Sequence, residues 1–144
     1  PPLKLAKTVI DQDMLNTWQN RWAKAPIYRQ TKFFFPERRP QVSQNLLNRG
    51  RIQMGVITQF ITGFNNLSYH QSNVHKTPPP PCRLCDDYRE ESPHLVSTCG
   101  ALTSLRLETF GPLGPGKTWT SNALVKFVNH PIVYNLLTEE EDIV

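Results

Sequence analysis

The chain has 144 residues, a formal net charge of +4 and a hydrophobic fraction of 38%, which is the material of one folded domain and too apolar for a disordered, solvating segment. No apolar run approaches the roughly 20 residues of a membrane span, and the opening PPLKLAKTVI has no signal-peptide core, so no membrane partner and an intracellular location (cytoplasm and nucleus) are expected. Charge is uneven: residues 1–80 hold eleven Lys/Arg against three Asp/Glu, net +8, whereas 81–144 hold five against nine, net −4, which makes the first half a candidate for polyanion contact.

From Leu3 to Ala23, the residues Leu5, Val9, Leu15, Trp18 and Trp22 recur mostly at spacings of three and four. That predicts one amphipathic helix, or two short ones, ending before Pro26, with Asp11 and Asp13 facing solvent. The basic, aromatic segment Tyr28–Pro36 reads as extended, with Phe33, Phe34 and Phe35 as core or interface anchors rather than stacking platforms. Ser43 is expected to cap a short helix over Gln44–Asn48 that stops at Gly50. A second helix is predicted over Arg51–Thr62, burying Ile52, Val56, Ile57, Phe60 and Ile61 and ending at Gly63. Asn65–Ser68 is a turn into a short helix carrying Tyr69, His70 and Val74.

TPPPP, residues 77–81, is a polyproline spacer. Beyond the cysteines, Ala101–Phe110 reads as a helix stopped by GPLGPG. Ser121 caps a helix to Val128, Pro131 opens a last one to Leu137, and an acidic tail follows. No internal repeat is visible. The expected fold is mainly α: a small helical domain with one zinc-stabilised CCHC loop-helix element. It divides into a basic helical region (1–76), a proline spacer with the CCHC element (77–100), and C-terminal helices with the acidic tail (101–144), packed as one unit.

All three cysteines and one of four histidines fall within PPCRLCDDYREESPHLVSTC. The spacing is C-x2-C-x8-H-x4-C over Cys82, Cys85, His94 and Cys99. An odd cysteine count with a C-x2-C pair favours a metal over a disulfide framework, and the redox reading of C-x2-C lacks its βαβ context. A tight turn presents two thiolates together, Ser92-Pro93 opens a helix that carries His94, and Cys99 follows slightly over one turn later. Three thiolates and an imidazole form a closed tetrahedral zinc site, which argues for a structural ion rather than a hydrolytic one. His70 and His75 read as surface or hydrogen-bonded residues, either being the less favoured substitute for His94. His130 belongs to a turn.

GPLGPGKT, residues 111–118, satisfies the phosphate-loop pattern G-x4-G-K-[ST]. The preceding residues look helical rather than extended, and Pro112 and Pro115 remove two backbone donors that the loop needs. A rigid turn is the better reading.

The order of segments resembles a known family. Trp18-x3-Trp22, RQTKFFFP (29–36), SQNLLNRGRIQ (43–53), QFITGFNNLSYHQ (59–71), CRLC…E…HL…C and Leu105-Arg106 are similar to the region downstream of reverse transcriptase and ribonuclease H in jockey-like non-LTR (LINE-type) retrotransposon polyproteins. The resemblance covers roughly residues 3 to 137. It implies Cys82, Cys85, His94 and Cys99 as zinc ligands, in agreement with the spacing, and an excised piece of a larger polyprotein. Where the family usually reads TGH, this chain has Phe64. The x8 interval also differs from the x4 of the retroviral nucleocapsid knuckle, so that motif's RNA contacts do not transfer.

The resemblance implies a non-catalytic accessory module of a retrotransposon reverse transcriptase, binding RNA or DNA during target-primed reverse transcription. Upstream of the zinc loop only Asp11, Asp13 and Glu37 are acidic, too few for two-metal phosphoryl chemistry, so no catalysis is expected of this chain alone. Arg29, Lys32, Arg38, Arg39, Arg49 and Arg51, interleaved with Phe33–Phe35, are the candidate phosphate contacts. The alternative is a structural or protein-interaction module that packs against the rest of the polyprotein or a host protein. Convergence of the basic residues of 29–51 on one face discriminates the two.

Overall fold

The computed structural model describes residues 2–112, 114–116 and 119–139. Among them are nine α-helices and a single 3-10 turn, with no strand beyond one isolated antiparallel bridge between Pro81 and Arg89. None of these helices is long and apolar enough to cross a membrane. The helices are α1 (Pro2–Lys24), α2 (Arg29–Phe34), α3 (Pro40–Leu47), α4 (Arg51–Thr62), α5 (Ser68–Val74), α6 (Ser92–Ser97), α7 (Thr103–Phe110), α8 (Ser121–Asn129) and α9 (Pro131–Thr138).

One core runs from Phe34 to Leu137 and includes the ligand candidates Cys82 and Cys99. Helix α8 is its axis. Ala123, Leu124, Val125, Phe127 and Val128 of α8 are buried, and α3, α4, α7 and α9 pack around it. An aromatic spine crosses the core: Phe34 to Phe60 at 5.6 Å, Phe60 to Phe127 at 6.1 Å, and Phe127 to Phe110 at 5.5 Å. Each such pair adds about 0.5–1.5 kcal/mol beyond its buried area. Trp119 joins the spine edge-on to Phe34 at 6.1 Å, and its indole N–H donates to the Phe34 carbonyl at 2.9 Å.

Several expectations are corrected. Residues 28–36 are not extended: Tyr28 takes a left-handed conformation (φ 64°) and opens α2. The Phe35 N–H donates to the Thr31 carbonyl at 2.9 Å, closing the turn. The end of α2 falls within the three consecutive phenylalanines, Phe35 being its C-cap, and sends them in different directions. Phe34 enters the core, Phe35 lies on Trp119 at 5.4 Å, and Phe33 stays 39% exposed. Phe34 and Phe35 are thus anchors, as expected.

Ser43 does not start a helix. Pro40 does, at the first turn of α3, where its missing N–H is no loss. Helix α4 has the expected bounds, and Gly63 (φ 83°) ends it in the left-handed conformation. Its first turn overshoots the core, leaving Ile52 79% exposed while Ile57, Phe60 and Ile61 are buried. The caps before α6 and α8 are Glu91 and Thr120, one residue earlier than Ser92 and Ser121.

Helix α1 is continuous and none of its residues is buried; its apolar residues are spread around the helix, so the expected amphipathic face is absent. It is tied down near its end, where Gln19 donates to the Pro36 carbonyl at 2.9 Å and the Trp22 indole to the Phe35 carbonyl at 2.7 Å. Asp11 and Asp13 are exposed on it, as expected. The phosphate-loop pattern follows helix α7 rather than a strand. Its Leu113, Lys117 and Thr118, and the acidic tail past Glu139, lie outside the described residues.

Candidate metal centre

The proline spacer leads into a tight turn. The Cys82 N–H donates to the carbonyls of Tyr88 (2.8 Å) and Asp87 (3.2 Å), and the Asp86 N–H returns to the Cys82 carbonyl at 2.8 Å. Asp86 is left-handed (φ 56°), which turns the chain after Cys85. The backbone N–H groups of Cys85 and Leu84 point at the Cys82 sulfur, and that of Ala101 at the Cys99 sulfur. His94 projects from the first turn of α6, where Pro93 sits among the opening residues. Helix α6 ends immediately afterwards, with the N–H groups of Thr98 and Cys99 both reaching the His94 carbonyl at 2.9 Å. That stop brings Cys99 back to the other ligands. Arg106 holds it there by donating to the Cys99 carbonyl.

The four ligand atoms of Cys82, Cys85, His94 and Cys99 lie within 4.8 Å of one another, and Cys85 Sγ is 3.3 Å from His94 Nε2. A tetrahedral ion with metal–sulfur bonds of about 2.3 Å and metal–nitrogen bonds of about 2.0 Å needs edges of roughly 3.5–3.8 Å. One edge, at 3.3 Å, is close to that range and none exceeds 4.8 Å, so the four atoms are near enough to share a single ion. The other imidazole nitrogen, Nδ1, lies 2.7 Å from Thr98 Oγ1, which leaves Nε2 as the metal-facing atom and fixes the ring. Cys82, His94 and Cys99 are buried and Cys85 is half-buried. This group can hold a metal ion.

The electrostatics agree. Burial above all, helped by the neighbouring charges of Cys99 and Glu90, pushes the Cys82 thiol up to about 12. Burial likewise raises Cys99 and lowers His94. The imidazole is thereby kept neutral, as a ligand must be. Burial keeps Cys82 and Cys99 as thiols until a cation binds, because backbone N–H groups alone do not offset the desolvation of a thiolate.

The chain matches no protein-family model, no curated protein and no solved structure.

Two residues that sequence reasoning passed over hold the cluster in place. Glu90 is fully buried, and its carboxylate accepts from the Ser68 N–H (3.1 Å) and hydroxyl (3.3 Å), and from Arg83 through the backbone N–H (2.9 Å), Nε (3.1 Å) and Nη2 (2.6 Å). It welds the cysteine turn to the start of α5. Glu91, 3% exposed, takes Arg29 on both oxygens (3.1 and 2.5 Å) and has Arg89 at 3.6 Å. The readable signal was two adjacent glutamates before a helix, in a loop with two arginines.

The basic candidates divide. Arg29 is committed to Glu91, Lys32 donates to the Ala25 carbonyl, and Arg49 donates to Asn122. Arg39 donates to the Trp119 carbonyl at 2.7 Å and lies 4.9 Å over that indole ring. Arg38 and Arg51 are exposed, and Arg29 keeps half its side chain in solvent. His70 packs against Phe64 at 4.9 Å, and His75 is exposed. His130 caps α9 by accepting from the Ile132 N–H at 3.3 Å.

Proposed function

We propose that the metal is zinc, held for the fold, and that the chain is a non-catalytic accessory module that binds RNA or DNA, of the kind carried by non-LTR retrotransposon reverse transcriptases. The observation that carries the structural role is the closed Cys3His set inside the hydrophobic core. Three sulfurs and one nitrogen fill a tetrahedron, leave no position for water, and suit zinc better than a hard cation. The nucleic-acid role is supported by the +8 of residues 1–80 and by Arg38, Arg51 and the half-exposed Arg29. The resemblance of segment order supplies the retrotransposon setting.

A structural or protein-interaction module is the second reading. It is favoured by the internal commitment of Lys32, Arg39 and Arg49. Fluorescence anisotropy of the zinc-loaded chain against single-stranded RNA, single-stranded DNA and duplex DNA across a salt series separates the two. The nucleic-acid reading expects affinity to fall with a slope of about 0.7–0.9 per phosphate contacted. A flat response at low salt refutes it and leaves the second reading.

A further inference from the structure

A hollow of about 460 Å³ opens beside the metal centre, lined by Phe33, Tyr88, His94, Thr98, Asp87 and Glu91. That volume falls within the roughly 300–1,000 Å³ of small-ligand sites. Two of its walls are aromatic rings that stay partly in solvent, although Phe33 also meets the core residue Phe34 edge-on at 5.1 Å. Phe33 is 39% exposed although its two neighbours are packed inward, and Tyr88 is 54% exposed.

The ring at Tyr88 belongs to a stack held from below. Arg89 lies between two tyrosines, 5.3 Å from the Tyr88 ring and 4.6 Å from the Tyr69 ring, and Arg29 lies 5.8 Å from the Tyr69 ring. The buried Glu91 carboxylate holds the Arg29 guanidinium by two hydrogen bonds and lies 3.6 Å from Arg89, which donates to the Tyr69 hydroxyl at 3.2 Å, and His94 supports Tyr88 at 5.5 Å. Guanidinium planes stacked on rings are pre-organised, and about half of the Arg29 side chain and a third of that of Arg89 stay in solvent.

We propose that this hollow receives one unpaired base of single-stranded RNA or DNA, stacked on Tyr88 and Phe33, with Arg29 and Arg89 meeting the flanking phosphates. The inference rests on the nucleic-acid reading and narrows it to single strands. A paired base already has both faces covered in its own helix, whereas an unpaired one offers a π-face to aromatic side chains. Charge decides which part of the polymer enters. Glu91 is matched by Arg29 and Arg89, so the remaining carboxylate in the hollow, Asp87, repels a phosphate and accepts from a base amino group. The two arginines take the phosphates outside.

The test uses the zinc-loaded full chain with labelled 12-nucleotide single strands of RNA and DNA and a 12-base-pair duplex of the same sequence. Tyr88→Ala and Phe33→Ala are each expected to weaken single-strand binding between about fivefold and about a hundredfold, the loss for removing one stacking ring. Duplex binding should be unchanged, and Tyr88→Phe should restore the single-strand affinity. Tyr88→Leu, which keeps bulk without a π-face, replaces the alanine variant if that variant loses its metal. Variants that bind single strands like the parent overturn this inference and leave the nucleic-acid reading standing. A parent chain that binds none of the three polymers overturns both.

Discussion

Replacing Glu90 by Gln removes one charge from the centre of the molecule and keeps the shape. In the parent, both carboxylate oxygens accept, from two groups of Ser68 and three of Arg83. An amide keeps one acceptor and turns its NH2 toward N–H donors, so buried donors lose their partner. Breaking a fully buried ion pair costs about 3–5 kcal/mol. Arg83 is 32% exposed and regains some hydration, which brings the expected loss to about 2–3 kcal/mol. For a chain of this size that lowers the melting temperature by about 6–12 °C.

The pH dependence gives an independent check. Burial alone would push Glu90 up, but the Arg83 side chain and the backbone N–H groups of Arg83 and Ser68 outweigh it and hold the carboxyl below its ordinary 4.5. The unfolded chain then binds more protons in that window. The stabilisation is whole above about pH 4.5 and disappears as pH falls through the folded value. Thermal or urea melts of zinc-loaded parent and Glu90→Gln should therefore show a gap at pH 7 that narrows with acidification. A gap under about 0.5 kcal/mol at pH 7, or one that does not change with pH, refutes the reasoning.

Zinc titrated into the metal-free chain at pH 7 should release about three protons, read by calorimetry in buffers of different ionisation enthalpy; release below one refutes the buried-thiol account. Thr98→Val takes the hydroxyl from His94 Nδ1 and should weaken zinc affinity about 10- to 100-fold in a chelator competition, with little change in the zinc-saturated fold. Gly63→Ala strains a left-handed turn and sets a Cβ 2.5 Å from the Gln30 side chain, so a loss of at least about 1 kcal/mol is expected in urea melts. Ile52→Lys should stay within about 0.5 kcal/mol of the parent in the same melts, because the side chain is already in solvent.

The parts of the molecule that could be read from sequence are those governed by local rules. Helix α4 followed from apolar spacing and Gly63, and the candidate metal group from the spacing of three cysteines and His94, because C-x2-C and the Ser-Pro helix start are short-range devices. Most of the misreadings share a cause: tertiary partners decided them. Residues 28–36 look extended until Trp119, 85 positions away, claims Phe34 and its carbonyl. Ile52 fits the periodicity of α4, but the core ends one turn later. The apolar residues of α1 recur at helical spacings in pairs, yet Leu5 and Val9 fall on a different side of the helix from Leu15, Trp18 and Trp22, so no single apolar face forms and none of the helix is buried. Glu90 and Glu91 received no role, because nothing local shows that Ser68 and Arg29 will reach them.

Helix α1 also sets a gradient in how long its backbone stays closed. Its 23 residues make a rod of about 34 Å, fastened to the body near Gln19 and Trp22. Toward the other end, the hydrogen bonds from Thr8 to Lys4 and from Gln12 to Asn16 are internal to the helix. A stretch of that length without a tertiary partner is marginal in water. Amide protons should therefore exchange fastest near Lys4, slow progressively toward Trp22, and be slowest in α8, where opening requires the core itself to come apart.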